Sequence, residues 1–304
     1  MHWTAQVQRS VIPSVARPAF GLNDLCYPPV EQREMGLSKA VILARGLGTR
    51  MRRAAAGARL DDAQARAADA GVKGMMPVGR PFLDYVLSAL ADAGFGEVCL
   101  VVSPGNSPIR DYYQGEGTPT RTRVAFAVQQ DPLGTADAVA AAEEFAAGGE
   151  FLVVNSDNYY PVDALRAVAA LDGPGLVGFE RAALVAGSNI DDERVSRYAV
   201  LEVGPDDCLA DIVEKPDADR WSRTPADALI SMNCWRLGPA IFDAVRRIAP
   251  SPRGEYELGD AVRDAIRHGE RFRVVRARAA VLDLSQRADV PAVASRLAGV
   301  QVRV

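Results

Sequence analysis

Short apolar runs rich in β-branched residues alternate with stretches of helical character, and this alternation constrains the fold of the chain more than any other feature. The runs are KAVILA (39–44), EVCLVVS (97–103) and EFLVVNSD (150–157). Uninterrupted apolar runs of this length suit strands buried on both faces of a sheet. Between them lie RPFLDYVLSALADAG (80–94) and GTADAVAAAEEFAAGG (134–149), the second Ala-rich and closed by two glycines. The pattern predicts an α/β fold: a Rossmann-like mixed, mainly parallel sheet with right-handed crossovers, flanked by helices. Ligands of such sheets bind beyond the carboxyl ends of the strands. Residues 44–50 and 155–158 both follow predicted strands and are expected to share one crevice.

The first 34 residues carry prolines and no sustained period, so they read as an N-terminal arm or leader. Residues 35–304 then form one domain, with ample length to bury a core. In its second half, RYAVLEV (197–203), LADIVEKP (209–216) and ALISMNCWRL (228–237) read as strands, followed by helices near 238–248 and 257–268. FRVVRA and AAVLDL are expected to close the sheet, and the last dozen residues to form a short helix. A net charge of −4 argues against a nucleic-acid surface, and no apolar stretch approaches the roughly 18 residues of a membrane span. Cys26, Cys99, Cys208 and Cys234 are far apart and form no CxxC pair, which favours a reduced, cytoplasmic chain. With only two histidines, His2 and His268, a mechanism built on imidazole is not expected.

The run KAVIL is followed by ARGLGTR (44–50). Gly46 and Gly48 allow close backbone approach and positive φ, so main-chain N–H groups can point at phosphate oxygens. Thr49 adds a hydroxyl, and Arg50 can grip two oxygens in a planar fork. The loop is neither GxxxxGK[ST] nor GxGxxG, so it is not a Walker loop or a dinucleotide fingerprint. Taken alone it could equally be a tight strand-to-helix turn with solvated arginines.

Further segments in the same order give the loop a context. The chain resembles the sugar-1-phosphate nucleotidylyltransferase family, in particular its UDP- and dTDP-sugar pyrophosphorylases, from about Lys39 to about Asp283. LARGLGTR departs from the family's LAAG-x-GTR or LAGG-x-GTR only at Arg45. VKGMMPVGRPFLDYVL (72–87) is similar to its PKxMLPV segment, which implies that Lys73 binds phosphate. QQDPLGTADAV (129–139) is similar to its nucleobase-binding Q-x(4)-GTAxA element, which holds Gln129, Gly134 and Thr135. VVNSDNYY (153–160) resembles the strand ending in a metal-binding aspartate, here Asp157. DIVEKP carries the sugar-binding Glu214 and Lys215, GEYELGDAV (254–262) resembles a late family helix, and VLDLSQRADV (281–290) the segment with a second metal aspartate, Asp283. The resemblance implies a GT-A-like nucleotidyltransferase domain with Mg2+ as cofactor and an NTP and a sugar 1-phosphate as partners. Self-association into a homo-oligomer is left open.

The implied roles agree with phosphate chemistry. The attacking sugar phosphate is already charged, with a second pKa of roughly 6 for a phosphate monoester, so no histidine base is needed. Two anions must instead be neutralised and aligned, which cations and a divalent metal supply. Arg50 and Lys73 would hold the triphosphate, with Ala44, Gly46, Gly48 and Thr49 around it. Lys215 would hold the sugar phosphate, and Asp157 and Asp283 the metal. Each has a rival role: Asp157 as a turn cap, Asp283 as a helix N-cap or surface aspartate (its DLS replaces the family's D-x-G), Lys215 as an exposed lysine. Gln129 can donate and accept at once, matching the edge of uracil or thymine, so UTP or dTTP is favoured. Ala199 stands where many relatives have Gly, and SMNCWRL replaces N-x-G-x-Y, leaving Asn233 as the polar contact for the sugar. RRAAAGARLDDAQARAADAG (52–71) reads as a solvated helical insert, either a lid over the triphosphate or a lengthened loop. Two alternatives remain: a non-catalytic sugar-nucleotide-binding regulator on this fold, and a nucleotidyltransferase for another phosphorylated alcohol.

Overall fold

The computed structural model describes residues 37–53, 59–105 and 107–304. The arm expected over 1–34 lies outside the described residues, as does part of the insert, 54–58. A mixed sheet of nine strands carries the fold. Its main path contains β1 (Lys39–Leu43), β2 (Glu97–Val102), β3 (Arg123–Val128) and β4 (Phe151–Asn155). A short strand, β5 (Asn158–Tyr159), follows β4 outside that sheet, and β6 (Gly175–Glu180) returns to it. β7 (Ala199–Val203) and β8 (Leu209–Val213) form a hairpin, and β9 (Leu229–Leu237) and β10 (Arg273–Ala277) complete the sheet. The order is β10-β6-β9-β4-β1-β2-β3, with the hairpin attached to β9 through β7. β1 pairs in parallel with both β2 and β4, β2 with β3, and β10 with β6, whereas β9 runs antiparallel to β4 and β6. Six strands of the path therefore share one direction, and β9 opposes them.

Apolar side chains cover both faces, which is why β1 reads as an unbroken hydrophobic run. Ala40 and Ile42 point into one core with the helix Phe82–Asp92, and Val41 points into the other with the helix Thr135–Ala140. The expected strand AAVLDL does not close the main sheet. Its only strand, β11 (Leu282–Asp283), pairs antiparallel with β5 in a separate two-stranded ribbon. The Ala-rich stretch 134–149 is two helices, Thr135–Ala140 and Glu143–Ala146, and the C-terminal helix spans Val290–Leu297.

β9 is where the sheet forks. Phe151–Val153 of β4 pair with its last three residues, while Ala199–Leu201 of β7 pair with Leu229–Ser231 on the same edge. Between these contacts the register with β6 also shifts, from Leu176↔Trp235 to Gly178↔Ser231. Asn233 sits in this bulge with φ 55. The fork opens beside the carboxyl ends of β1 and β4, and a cleft lies there.

Within the insert, the helix Asp62–Ala70 is capped at both ends: Asp61 and Gln64 form a capping box, and Gly71 takes the left-handed conformation at its end. It is tied to the body by Arg52 Nη2 donating to Ala70 O (3.0 Å), Gln64 Nε2 donating to Pro77 O (3.0 Å), and an Arg287–Asp69 ion pair.

Candidate active site

A cleft of about 400 Å3 lies over the carboxyl ends of β1 and β4. From the loop after β1 it is lined by Ala44, Gly46, Gly48, Thr49 and Arg50, together with Arg45. The next segment contributes Lys73, and QQDPLGTADAV contributes Gln129, Gly134 and Thr135. Asp157 and Asn233 complete the expected residues there. The crevice expected between 44–50 and 155–158 thus exists. Ala199, Glu214, Lys215 and Asp283 do not line it.

Local geometry explains the loop's composition. Gly48 is the N-cap of the short helix Thr49–Arg52 and has φ 62. A Cβ there would stand 2.0 Å from Gly71 O, so only glycine fits. Gly46 differs from the expectation: its φ is not positive, and a Cβ would meet nothing within 4 Å. Its missing side chain leaves open space at the cleft. The first N–H groups of a helix have no intrahelical acceptor, and here they belong to a loop that lines the cleft. Arg50 is exposed, and its guanidinium makes no side-chain hydrogen bond or ion pair among the described residues.

Lys73 stands in the 3-10 turn Lys73–Met75, where the chain returns from the insert. Its Nζ donates to Asp157 Oδ2 at 2.7 Å, with the two side chains 16% and 21% exposed. Asp157 is fixed from behind, since its backbone oxygen accepts from Leu284 N at 2.8 Å. The GTA element is locked onto GEYELGD. Ala136 N donates to Tyr256 O (2.9 Å), Leu258 N donates to Thr135 Oγ1 (2.9 Å), and a Cβ on Gly134, φ 113, would stand 2.5 Å from Tyr256 O. Thr135 is thereby a structural hydroxyl in this state as well as a lining residue.

Asp283 has a different environment from Asp157. It is 2% exposed, and four donors saturate its carboxylate. Oδ2 accepts from Arg194 Nη2 (2.5 Å) and Tyr198 OH (2.8 Å), and Oδ1 from Ser285 Oγ (2.9 Å) and Asn158 Nδ2 (3.3 Å). Arg194 also bridges to Asp289 at 2.5 Å. Burial, then the nearby Asp157 charge, push the Asp283 carboxyl above its ordinary range, against the pull of Arg194. Burial and the Asp283 charge raise the Tyr198 phenol. The surface or N-cap role weighed from sequence does not apply, and as a metal ligand Asp283 has no free oxygen lone pair in this arrangement. Among the described residues, no group of three or more His, Cys, Asp or Glu side chains is arranged to hold a metal ion. Asp157 fits as one anchoring carboxylate: it is partly exposed, lines the cleft, and its Oδ1 carries no protein hydrogen bond among the described residues. Mg2+ characteristically binds through one or two carboxylates plus substrate phosphates, so a single such anchor is adequate.

The sugar-side residues are arranged around the fork. Ala199 is buried at the start of β7 opposite Ser231. Glu214 and Lys215 follow β8 and are exposed residues, and Lys215 has φ 46 immediately before Pro216. For a lysine that conformation is strained. Asn233 lines the cleft, but its Oδ1 accepts from Trp235 Nε1 at 3.3 Å. Arg45, Asp137, Arg194 and Tyr198 belong to the site or its support and were not assigned from sequence. Arg45 and Asp137 lie within the quoted motifs, Asp137 at a position the motif leaves variable and Arg45 at the one position where the glycine loop departs from it. Arg194 is 89 residues from Asp283, and nothing in the sequence pairs them.

Comparison with known proteins agrees with this geometry. The nucleotidyl transferase family model matches residues 68–285, which includes Lys73, Gln129, Asp157 and Asp283 and begins after the glycine loop. The chain is 26% identical over 234 residues to the low-salt glycan biosynthesis nucleotidyltransferase of Haloferax volcanii, covering 76% of this chain and 58% of that protein. It is 27% identical over 241 residues to the UTP–glucose-1-phosphate uridylyltransferase of the same organism, covering 78% and 87%. Against several relatives of the bifunctional type, such as that of Methanococcus vannielii at 29% identity, it spans less than half the length, 42% in that case. A crystal structure of UDP-glucose pyrophosphorylase complexed with UDP-glucose shares the fold, with a TM-score of 0.66 at 19% identity over 87% of this chain and 100% of that one. The family match extends over most of the chain and over every cleft-lining segment except the glycine loop, so the protein is a member of the nucleotidyl transferase family.

Proposed function

We propose that the protein transfers a nucleotidyl group from UTP or dTTP to a sugar 1-phosphate, with Mg2+, giving a nucleotide sugar and pyrophosphate. One observation carries the reading: the glycine loop, the Lys73–Asp157 pair and Gln129 line the same cleft. In the reaction, an oxygen of the sugar phosphate forms a bond to the α-phosphorus of the NTP. The α–β bridging P–O bond breaks, and its electron pair leaves with pyrophosphate. The nucleophile is anionic at neutral pH, so the protein's task is charge compensation and alignment.

Arg50 and the loop N–H groups suit the β- and γ-phosphates, because the guanidinium fork and helix-start amides are oxygen-directed donors. Lys73 keeps an ammonium at the α-phosphate side. Its Nζ donates to Asp157 Oδ2, so each of the two charges has a partner. Asp157 would anchor the metal ion, which supplies positive charge between the reacting phosphates. Lys215 is assigned to the sugar phosphate, and Glu214, Ala199 and Asn233 to the sugar. These four rest on the family resemblance, with only Asn233 among them lining the cleft, whereas the phosphate residues all line it. Relatives named as uridylyl- and thymidylyltransferases support a pyrimidine NTP.

The experiment is pyrophosphate release with Mg2+ from UTP, dTTP, CTP, ATP and GTP, each paired with a panel of sugar 1-phosphates and one non-sugar phosphate such as phosphocholine. Turnover with UTP or dTTP and at least one sugar 1-phosphate is expected. Binding of nucleotide sugar without turnover of any pair would establish the non-catalytic alternative instead, and turnover confined to phosphocholine the other.

A further inference from the structure

We propose that Asp137 is a positioning residue that fixes which edge of Gln129 meets the nucleobase, so that the site accepts uracil or thymine and rejects cytosine. The inference rests on the nucleotidyl transfer proposed above and deepens it. From sequence, the Gln129 amide is expected to donate and accept at once toward the base. The structure narrows that expectation. Gln129 Nε2 donates to Asp137 Oδ2 at 2.8 Å and to Gly134 O at 3.0 Å, so both its N–H bonds are used. A carboxylate and a carbonyl only accept, and the flipped amide would set Oε1 against both. The bond to Asp137 is also charge-assisted and is the stronger of the two in kind.

The remaining atom is Oε1. No protein donor reaches it among the described residues, whereas every fully buried side-chain polar atom there has a partner, so Oε1 is open to the cleft. Gln129 is 4% exposed and lines the cleft, and Oε1 is the part that meets the ligand. The backbone is fixed as well. Gln129 N donates to Val102 O (3.0 Å), Arg45 Nε donates to Gln129 O (3.1 Å), and Arg45 Nη2 donates to Gln130 O (3.0 Å). Arg45, the one departure in the glycine loop, thus ties the phosphate loop to the base-reading segment.

A fixed acceptor selects by chemistry. N3 of uracil and thymine carries a hydrogen and can donate to Oε1. N3 of cytosine carries a lone pair and meets it with repulsion. UTP and CTP share ribose, triphosphate and ring size, so their ratio isolates this contact. A site built to hydrogen-bond one edge discriminates strongly against the mismatched one.

The test is kcat/KM for UTP and for CTP with the same sugar 1-phosphate in wild type, Asp137→Ala and Asp137→Asn. Wild type is expected to favour UTP by about 100-fold or more. Asp137→Ala removes one of two restraints on the amide and lowers the UTP:CTP ratio by about tenfold. An asparagine side chain keeps an acceptor oxygen at the same reach, so Asp137→Asn stays within about threefold of wild type. If Asp137→Ala is poorly folded, Asp137→Ser, too short to reach Nε2, replaces it. A ratio unchanged in the alanine or serine variant, or equal losses for both nucleotides, overturns the positioning role. A wild type with no preference for UTP over CTP overturns the base choice of the proposed function itself, whereas a wild-type preference that survives in the alanine or serine variant overturns only the role of Asp137.

Discussion

Asp283→Asn and Asp157→Asn are expected to fail in opposite ways. The Asp283 carboxylate is 2% exposed and accepts from Arg194, Tyr198, Ser285 and Asn158. An amide there loses the ion pair and turns an N–H2 toward two of the donors. Breaking a buried pair by removing one partner costs about 3–5 kcal/mol. Arg194 keeps Asp289 at 2.5 Å, so the lower end applies, about 3 kcal/mol. For a fold of this size each kcal/mol shifts Tm by about 2–4 °C, which gives a fall of about 6–12 °C. Asp157 sits in a wetter place, with its side chain 21% exposed and Lys73 as its partner. Asparagine can still accept from Lys73, and accessible ion pairs contribute about 1 kcal/mol or less, so Tm moves little. Turnover, by contrast, loses the carboxylate assigned to the metal and falls by about 100-fold or more. Thermal unfolding, and pyrophosphate release per folded molecule across a Mg2+ titration, read both effects. Asp283→Asn should keep the wild-type Mg2+ dependence in its folded fraction. A variant with unchanged Tm and about tenfold weaker Mg2+ affinity would refute the reasoning and make Asp283 a ligand.

Three further outcomes follow from particular contacts. Lys73→Met removes the cation facing Asp157 and the triphosphate, and kcat should fall by about 100- to 1,000-fold; near-wild-type pyrophosphate release excludes the role. Gly48→Ala places a Cβ 2.0 Å from Gly71 O at φ 62, so the backbone must move. The φ cost alone is about 1–2 kcal/mol, and an unchanged Tm with unchanged kcat would show that the loop is looser than its geometry. Asp84 is buried beneath Tyr112 and Tyr113, and burial raises its carboxyl above the ordinary 3.8 despite bonds from both phenols and the charge of Arg80. A raised folded-state pKa means tighter proton binding in the native state, so this contribution is present at low pH and is lost as pH rises through the folded value. Asp84→Asn lacks it, so the stability of wild type relative to the variant should decline from about pH 4 upward. A relative stability that grows with pH over that range contradicts the sign.

Legibility followed the physics of each segment. β1, β2 and β4 are sandwiched between two apolar cores, so burial on both faces wrote them as unbroken runs. β6 was not seen, because GLVGFE carries two glycines that dilute the strand signal. Packing demands them: a Cβ on Gly175 would stand 2.4 Å from Arg273 O, and one on Gly178 3.0 Å from Leu229. β3 is an edge strand of mixed exposure and lacks the same signature. The break in 134–149 has no marker, since alanine suits both helices and the turn between them. The second helix ends locally, at Ala147 with φ 52 before Gly148, and Lys39 Nζ, distant in sequence, donates to its last carbonyls, Phe145 O (2.9 Å) and Ala146 O (3.3 Å). The cleft residues of the glycine loop, Lys73, Gln129 and Asp157 were legible because short motifs fix them locally. The partners of Asp283 were not, because Arg194 reaches it only through the fold.

Asn233 shows how backbone geometry can realign a motif that composition obscures. Matched by residue type to N-x-G-x-Y, the asparagine of SMNCWRL stands out as the polar contact. The structure instead gives Asn233 φ 55, at the bulge where β9 leaves β4 for β7. A left-handed residue in a strand is the place for glycine, and asparagine is among the few other residues that tolerate it. The spacing then follows without adjustment. Asn233 occupies the glycine position, Trp235 two residues later the aromatic one, and Ser231 two residues earlier the polar one. The contacts fit this assignment. The Asn233 side chain turns to Trp235 Nε1, and Ser231 Oγ accepts from Asn233 N at 3.4 Å. Ser231 also pairs with Ala199 across the β7–β9 ladder, so the two departures from the segments proposed to hold the sugar are neighbours rather than independent changes. A pocket altered at two touching positions is where a difference in sugar preference would arise, because a methyl at residue 199 and a shorter hydroxyl at 231 change its volume and its hydrogen-bonding reach together.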